Sequence, residues 1–250
     1  MSLKMSIRDV FIRYTGMDPD MILELSTDNI SKKILKIPNP YERLKQTYNA
    51  IGIDIPIDRK IFDRKTIAFD FDDVIIDAHI EFARYNKLIP CDDYNESDDY
   101  AACLGLSDSE FIRMWGNFYK PENFKVMNGA LEGLTSLANS YRLIIITYSP
   151  PSTLIDNYIT TTFPGIFERI IHSYTPDLFR IPKSFHCNRN NASWLVDDTY
   201  INCEDIIKNS DSTIPILFGQ YPWNVKYKNN LNKRVIQCDD WKSLLEYFKL

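Results

Sequence analysis

Asp70, Asp72 and Asp73 form a D-x-D-D cluster directly after the apolar run Ile67-Ala68-Phe69, and a second acidic pair, Asp197-Asp198, follows Trp194-Leu195-Val196. Crowded carboxylates repel and raise one another's pKa, so together they are tolerable only around a cation, and an all-oxygen donor set suits Mg2+. Asp70, Asp72, Asp197 and Asp198 are the expected metal-binding residues. Once a metal offsets the charge, one carboxylate can attack phosphorus and carry the phosphoryl group as an aspartyl-phosphate, and Asp70 is the candidate nucleophile. In an extended segment Asp72 points to the same side as Asp70, so it can serve the leaving group as acid and the attacking water as base. Thr147, closing the run Leu143-Ile144-Ile145-Ile146, offers phosphate a hydroxyl and nearby amides, and Lys183 offers a balancing positive charge. Asp73 reads as a bystander in the turn.

These residues need elements that bring them to one edge. A run apolar on both faces belongs inside a parallel sheet, and open α/β sheets place their ligands at the carboxyl ends of the strands. Strands are expected near 65–71 and at 143–147, 169–172, 194–198, 214–218 and 234–237. Between them the periodicity predicts a helix over 130–139 with Leu131, Leu134 and Leu137 inward, one from a Ser152 cap to Ile159, one near 201–208, and a closing amphipathic helix carrying Trp241, Leu244, Leu245 and Phe248. Alternation of this kind implies parallel pairing and right-handed crossovers. After Asp77 the pattern is helical and includes a capping box, Ser107-Asp108-Ser109-Glu110, followed by Phe111, Met114, Trp115 and Phe118 on one face. Residues 5 to 60 also read as short helices, punctuated by Gly16, Asp18-Pro19, Asn39-Pro40 and Gly52. The expected organisation is α/β: a helical N-terminal extension over 1–62, a Rossmann-like parallel-sheet core over 63–77 and 128–250, and a small helical cap over 78–127.

Plainer readings apply to several features. The basic residues between Lys32 and Lys65 read as solvated helix faces, and Asp92, Asp93, Glu96, Asp98 and Asp99 as an exposed loop. Trp115, Phe118 and Tyr119 could stack on a base, but their helical spacing favours core; His79, His172 and His186 have no ligand spacing and read as structural or surface residues. A 250-residue chain that is 44% apolar can build a sizeable core, and a net charge of −5 argues against a protein that coats nucleic acid while allowing a local pocket for a small phosphorylated molecule. Five cysteines without C-x-x-C spacing favour reduced thiols and a cytoplasmic location. No apolar run approaches the ~18 residues needed to cross a bilayer, and the amino terminus has no apolar signal-peptide core.

The ordered set of Asp70-Phe71-Asp72-Asp73-Val74, Thr147 after Ile144-Ile145-Ile146, Lys183, and Leu195-Val196-Asp197-Asp198 resembles the four motifs of the haloacid dehalogenase superfamily of phosphotransferases, over about residues 65 to 240. Asn128-Gly129-Ala130-Leu131-Glu132-Gly133-Leu134, the stretch from Ile216 through Gly219-Gln220-Tyr221-Pro222-Trp223-Asn224, and a late Trp241 are similar to the 5′(3′)-deoxyribonucleotidase branch. That resemblance implies a Rossmann-like core, a helical cap between the first and second motifs, Mg2+, and nucleoside monophosphates as substrates. It also implies Asp70 as nucleophile, Asp72 as acid and base, Thr147 and Lys183 as phosphate contacts, and Asp197 as metal ligand with Asp198 beside it. Asp73 stands where glycine is commonest, the residues before about 60 lie outside the match, and Arg180 competes with Lys183 for the cationic role. The function expected is Mg2+-dependent hydrolysis of a phosphomonoester through an aspartyl-phosphate. A phosphatase for another small metabolite or a nucleic-acid end, and a non-catalytic binding protein, are the alternatives.

Overall fold

The computed structural model describes residues 64–88, 100–174, 179–227 and 230–250; the expected N-terminal helices and the acidic loop lie outside them. Strand β1 (Thr66–Phe69) is buried along its whole length, as an uncharged run must be when layers cover both its faces. It is flanked by β2 (Arg142–Thr147) and β4 (Ala192–Asp197). β3 (Phe167–His172) lies outside β2, while β5 (Ile214–Phe218) and β6 (Ile236–Cys238) continue beyond β4. Every pairing is parallel, in the order β3-β2-β1-β4-β5-β6. The winding reverses between β1 and β4, which makes the carboxyl ends of those two strands the place where a doubly wound sheet binds its ligand.

Period two in the strands divides the core. Ile67 and Phe69 of β1 join Ile145, Val196 and Phe218 in a cluster with Leu134 and Leu137 of α4 (Ala130–Ala138), Ile155 and Ile159 of α5 (Thr153–Thr162), and Trp241, Leu244 and Phe248 of α8 (Trp241–Phe248). Ala68 faces the opposite layer, with Ile144, Ile146, Leu195, Cys187 of α6 (Lys183–Arg189) and Ile206 of α7 (Tyr200–Asn209). Each fully buried Leu, Ile or Phe stabilises this arrangement by about 1.5–3 kcal/mol relative to its exposed state. Cys187, Cys203 and Cys238 are buried free thiols, and among the described residues no helix is long and apolar enough to cross a membrane.

The helix over Lys183–Arg189 was not expected, β3 and β4 begin two residues early, and two further differences have a local cause. Leu131 is 44% exposed, because the buried arc of α4 is Ala130, Gly133, Leu134 and Leu137. A Cβ on Gly133 would lie 2.5 Å from Cε3 of Trp241, so the indole takes the place a side chain would fill and turns Leu131 outward. The last strand begins at Ile236 rather than Arg234, whose guanidinium instead donates to the carbonyls of Ile207 at 3.0 Å and Ser210 at 2.7 Å, closing the end of α7.

Between β1 and β2 the chain forms α1 (Ala78–Tyr85), α2 (Tyr100–Cys103) and α3 (Asp108–Phe118). The capping box at Ser107 and Glu110 forms as expected. Phe82, Ala83, Leu104 and Phe118 make a separate small core with Phe111, Met114 and Trp115 packed on it. Both ends of this helical insertion are tied together: the Asp77 N–H donates to Lys125 O, the Met127 N–H to Ile75 O, each at 2.9 Å, and Ile76 bridges Val126 antiparallel.

Candidate active site

Asp70 directly follows β1 and is still in the ladder, its N–H donating to Val196 O at 2.9 Å. Its Oδ1 accepts from the Phe71 N–H at 2.7 Å and its Oδ2 lies 2.6 Å from Lys183 Nζ. Lys183, the first residue of α6, has no solvent exposure and also reaches Asp197 Oδ2 at 2.7 Å. Asp197 ends β4, where its Oδ1 accepts from the Thr199 N–H at 3.0 Å and from Asn202 Nδ2 at 2.9 Å. Asp198 accepts on Oδ2 from Trp223 Nε1 at 3.1 Å and from the Thr199 hydroxyl at 3.3 Å; its Oδ1 takes no donor from the described residues. Lys183, not Arg180, therefore joins the carboxylates; the Arg180 guanidinium lies over the Tyr148 ring, 4.9 Å from its centroid.

A second set of contacts gathers on Asp72. The Tyr119 hydroxyl donates to Asp72 Oδ1 at 2.8 Å and the Ser149 hydroxyl to Oδ2 at 3.1 Å, while the two hydroxyls also touch each other. Thr147, at the end of β2 and fully buried, donates from Oγ1 to Ser149 Oγ at 3.2 Å and accepts the Ser149 N–H at 3.0 Å. Asp73 is fully buried in a left-handed conformation, φ 54°, and its carboxylate is paired with His79. Asp73 is thus a buried, paired member of the turn, and of the two readings of His79 the structural one fits.

The electrostatics show a charge deficit. Burial pushes Asp70 up to about 7; Lys183 pulls it down, and Asp197 and Asp72 push it further up. Burial likewise raises Asp72 to about 6, against the lowering hydrogen bond from Tyr119 and with Asp73 adding to the rise. Asp198 is held well above the carboxylate range by burial, then by Asp197 and Asp73. Burial opposes the Lys183 charge, but Asp197 and Asp70 hold its pKa above the ordinary lysine value. One buried ammonium does not balance these acids. One oxygen each from Asp70, Asp197 and Asp198 lies within 4.8 Å of the others, a hard, close and under-compensated donor set that fits Mg2+. Asp72, expected among the metal-binding residues, is not in that grouping; its two oxygens face the hydroxyls of Tyr119 and Ser149.

Sequence reasoning did not assign Tyr119 to the site, nor Trp223 and Asn202 to the acidic pair. Tyr119 directly follows the apolar face of α3, so its spacing reports helix packing, whereas its hydroxyl acts 47 residues away in sequence. A cleft of about 1170 Å³ is lined by His79, Tyr100, Tyr221, Trp223 and Trp241 among others, but by none of Asp70, Asp72, Asp197 or Asp198.

No protein-family model matches the chain and no curated protein matches it. Solved structures do. A haloacid dehalogenase-like family hydrolase from Streptococcus pneumoniae superposes with a TM-score of 0.50 at 17% identity, covering 74% of this chain and 98% of that one. A protein described as a predicted phosphatase from Clostridium acetobutylicum does so with a TM-score of 0.52 at 15% identity, covering 75% and 99%. The six-stranded parallel sheet with helices on both faces is thus a fold that this chain shares with these two solved structures.

Proposed function

We propose that this protein is a Mg2+-dependent phosphomonoester hydrolase acting through an aspartyl-phosphate on Asp70, with a nucleoside monophosphate as substrate. The observation that carries the proposal is the position of Asp70 at the reversal point of the sheet, joined to buried Lys183 and grouped with Asp197 and Asp198. Asp70, Asp197 and Asp198 would hold the metal, whose charge stabilises the transferring phosphoryl group. An Asp70 oxygen attacks phosphorus as the bond to the leaving oxygen breaks, and protonated Asp72 gives that oxygen its proton. Asp72, now a carboxylate, then takes a proton from water as the water attacks the aspartyl-phosphate, releasing phosphate and restoring Asp70. A value of about 6 for Asp72 suits both halves of this cycle. The Thr147 hydroxyl, here donated to Ser149, and the Ser149 hydroxyl, here donated to Asp72, would turn to the phosphate oxygens, and Lys183 offsets charge as Asp70 becomes esterified.

The helical insertion over 78–127 would act as a cap, excluding water during the first step. It faces Asp72 with Tyr119, whose ring is stacked at 5.3 Å on Trp115. The nucleotide reading rests on the motif resemblance. Buried free thiols fit a cytoplasmic enzyme. The test is a phosphate-release screen over nucleoside monophosphates and sugar phosphates with Mg2+, with Asp70→Asn and EDTA as controls. Full activity in Asp70→Asn or in EDTA overturns the chemistry. Turnover of sugar phosphates alone moves the substrate class, and a blank across the panel favours a binding protein.

A further inference from the structure

The turn that carries Asp70 and Asp72 contains one residue that must adopt a left-handed conformation, and that residue is Asp73 at φ 54°. Aspartate is one of the few non-glycine residues that visit this region, helped there by hydrogen bonding of its short side chain. Asp73 obtains it from a single partner: the His79 N–H donates to Oδ1 at 3.0 Å and His79 Nδ1 donates to Oδ2. The rest of the peptide is also held, the Asp73 N–H donating to Ile76 O and the Tyr221 hydroxyl donating to Asp73 O, both at 2.7 Å. The faces and edges of the His79 ring meet aromatic neighbours: Tyr100 of α2 at 4.3 Å, Trp115 of α3 at 5.0 Å and Trp223 at 5.2 Å. The Tyr100 hydroxyl closes the circle by donating to His79 O at 2.6 Å. Trp223 in turn donates to Asp198. One imidazole therefore touches the catalytic turn, two helices of the insertion, and the tryptophan that orients a candidate metal-binding carboxylate.

We propose that His79 is a positioning residue, which clamps Asp73 in its left-handed conformation and so fixes how Asp70 and Asp72 are presented to the phosphoryl group. Glycine at position 73 would adopt the same φ without a partner and would bury no charge. The Asp73–His79 pair replaces that freedom with an enforced geometry coupled to the insertion. The inference rests on the proposed hydrolase activity for its kinetic readout, and a Mg2+ titration gives it an independent one.

The experiment compares His79→Phe, His79→Asn, Asp73→Gly and the Asp73→Gly/His79→Phe double variant with the wild type. Phenylalanine keeps the ring and loses the donor; asparagine keeps a donor near the Nδ1 position and loses the ring. The readouts are p-nitrophenyl phosphate turnover with Mg2+, Mg2+ binding by calorimetry, and thermal melting. His79→Phe should lose about 10- to 100-fold in kcat with KM little changed, and bind Mg2+ about tenfold more weakly. His79→Asn should keep most of both, and the double variant should recover most of what His79→Phe lost. Wild-type kcat and Mg2+ affinity in His79→Phe overturn the inference, as does a folded double variant no better than His79→Phe. If His79→Phe fails to fold, the double variant is judged against Asp73→Gly: equality supports the clamp and a further loss overturns it. A wild type that hydrolyses no ester removes the proposed activity and leaves the Mg2+ titration to decide; a wild type that also binds no Mg2+ removes the inference with it.

Discussion

Replacing Lys183 by methionine keeps the volume of the side chain and removes the ammonium between Asp70 and Asp197. At an effective dielectric near 20, charges in direct contact attract by roughly 6 kcal/mol per pair, and Lys183 makes two such contacts, at 2.6 Å and 2.7 Å. Desolvating the buried ions costs several kcal/mol each and consumes most of that gain, so the intact triad adds little net stability. Removing only the cation is different, since it leaves buried carboxylates facing one another; breaking a buried pair in this way costs about 3–5 kcal/mol. At about 2–4 °C per kcal/mol for a domain of this size, the melting temperature in EDTA at pH 8 should fall by roughly 6–20 °C. Asp70 is already raised to about 7 with the lysine present, and losing the lysine raises it further. Acidification to pH 5 therefore protonates Asp70, and more than half of the deficit should disappear. Adding Asp197→Asn should likewise restore much of the stability at pH 8. Melts of the two variants at both pH values provide the check. A deficit equal at pH 5 and pH 8, or none at pH 8, would refute the assignment of Lys183 as the balance for these acids.

Other perturbations probe different parts of the site and core. Metal-free wild type should be more stable at pH 5 than at pH 8: Asp70 and Asp72 have folded values raised to about 7 and about 6, so their stabilising protonation is complete below the unfolded value near 4 and is lost as pH rises through 6 to 7. Melts in EDTA that rise over that range would contradict this, and Mg2+ at pH 8 should reverse the loss. Tyr119→Phe removes a hydrogen bond that lowers the Asp72 pKa; a charged hydrogen bond of about 1.5 kcal/mol corresponds to about one pH unit, so the limb of the kcat profile belonging to Asp72 should move upward by that amount. An unmoved limb would separate Tyr119 from Asp72 in function. Asp70→Asn should abolish turnover while its melting temperature stays within a few degrees of wild type, because Lys183 keeps Asp197. Gly133→Ala places a methyl 2.5 Å from the Trp241 ring, and such overpacking costs about 1–3 kcal/mol; a lower melting temperature with unchanged activity per folded molecule is expected.

Much of the sheet was legible in the sequence because most of its strands are short apolar runs; β3, which carries Glu168 and Arg169, shows only from Arg169 onward. β1, β2 and β5 appear where apolar runs predict them, since a strand covered on both faces leaves little choice of residue. Asp70, Thr147 and Asp197 could be placed because each stands at or next to the end of an expected strand, whereas Lys183 came only with the motif order, since no helix was expected to begin there. The partners on the other elements were harder. Tyr119, Asn202 and Trp223 reach the acids from an insertion, an α-helix and a short 3-10 helix, and one sequence carries no mark of a pairing across such distances. Leu131 fails for a related reason: Gly133 surrenders a core position to Trp241, which periodicity of apolar residues cannot register. Asp73 and His79 looked idle separately, and only the left-handed backbone between them gives the pair a purpose.

The hydrogen bond from Tyr119 to Asp72 means that the core does not own the proposed acid–base residue outright. An insertion that selects substrates is, in principle, an exchangeable module, free to vary while the chemistry beneath stays constant. Here any change that shifts the end of α3 also changes the proton affinity of Asp72. On the proposed function, altering which molecules this protein accepts and altering how fast it turns them over are therefore one problem, and a transplanted insertion would need a hydroxyl delivered to the same carboxylate before its new selectivity could be expressed at full rate.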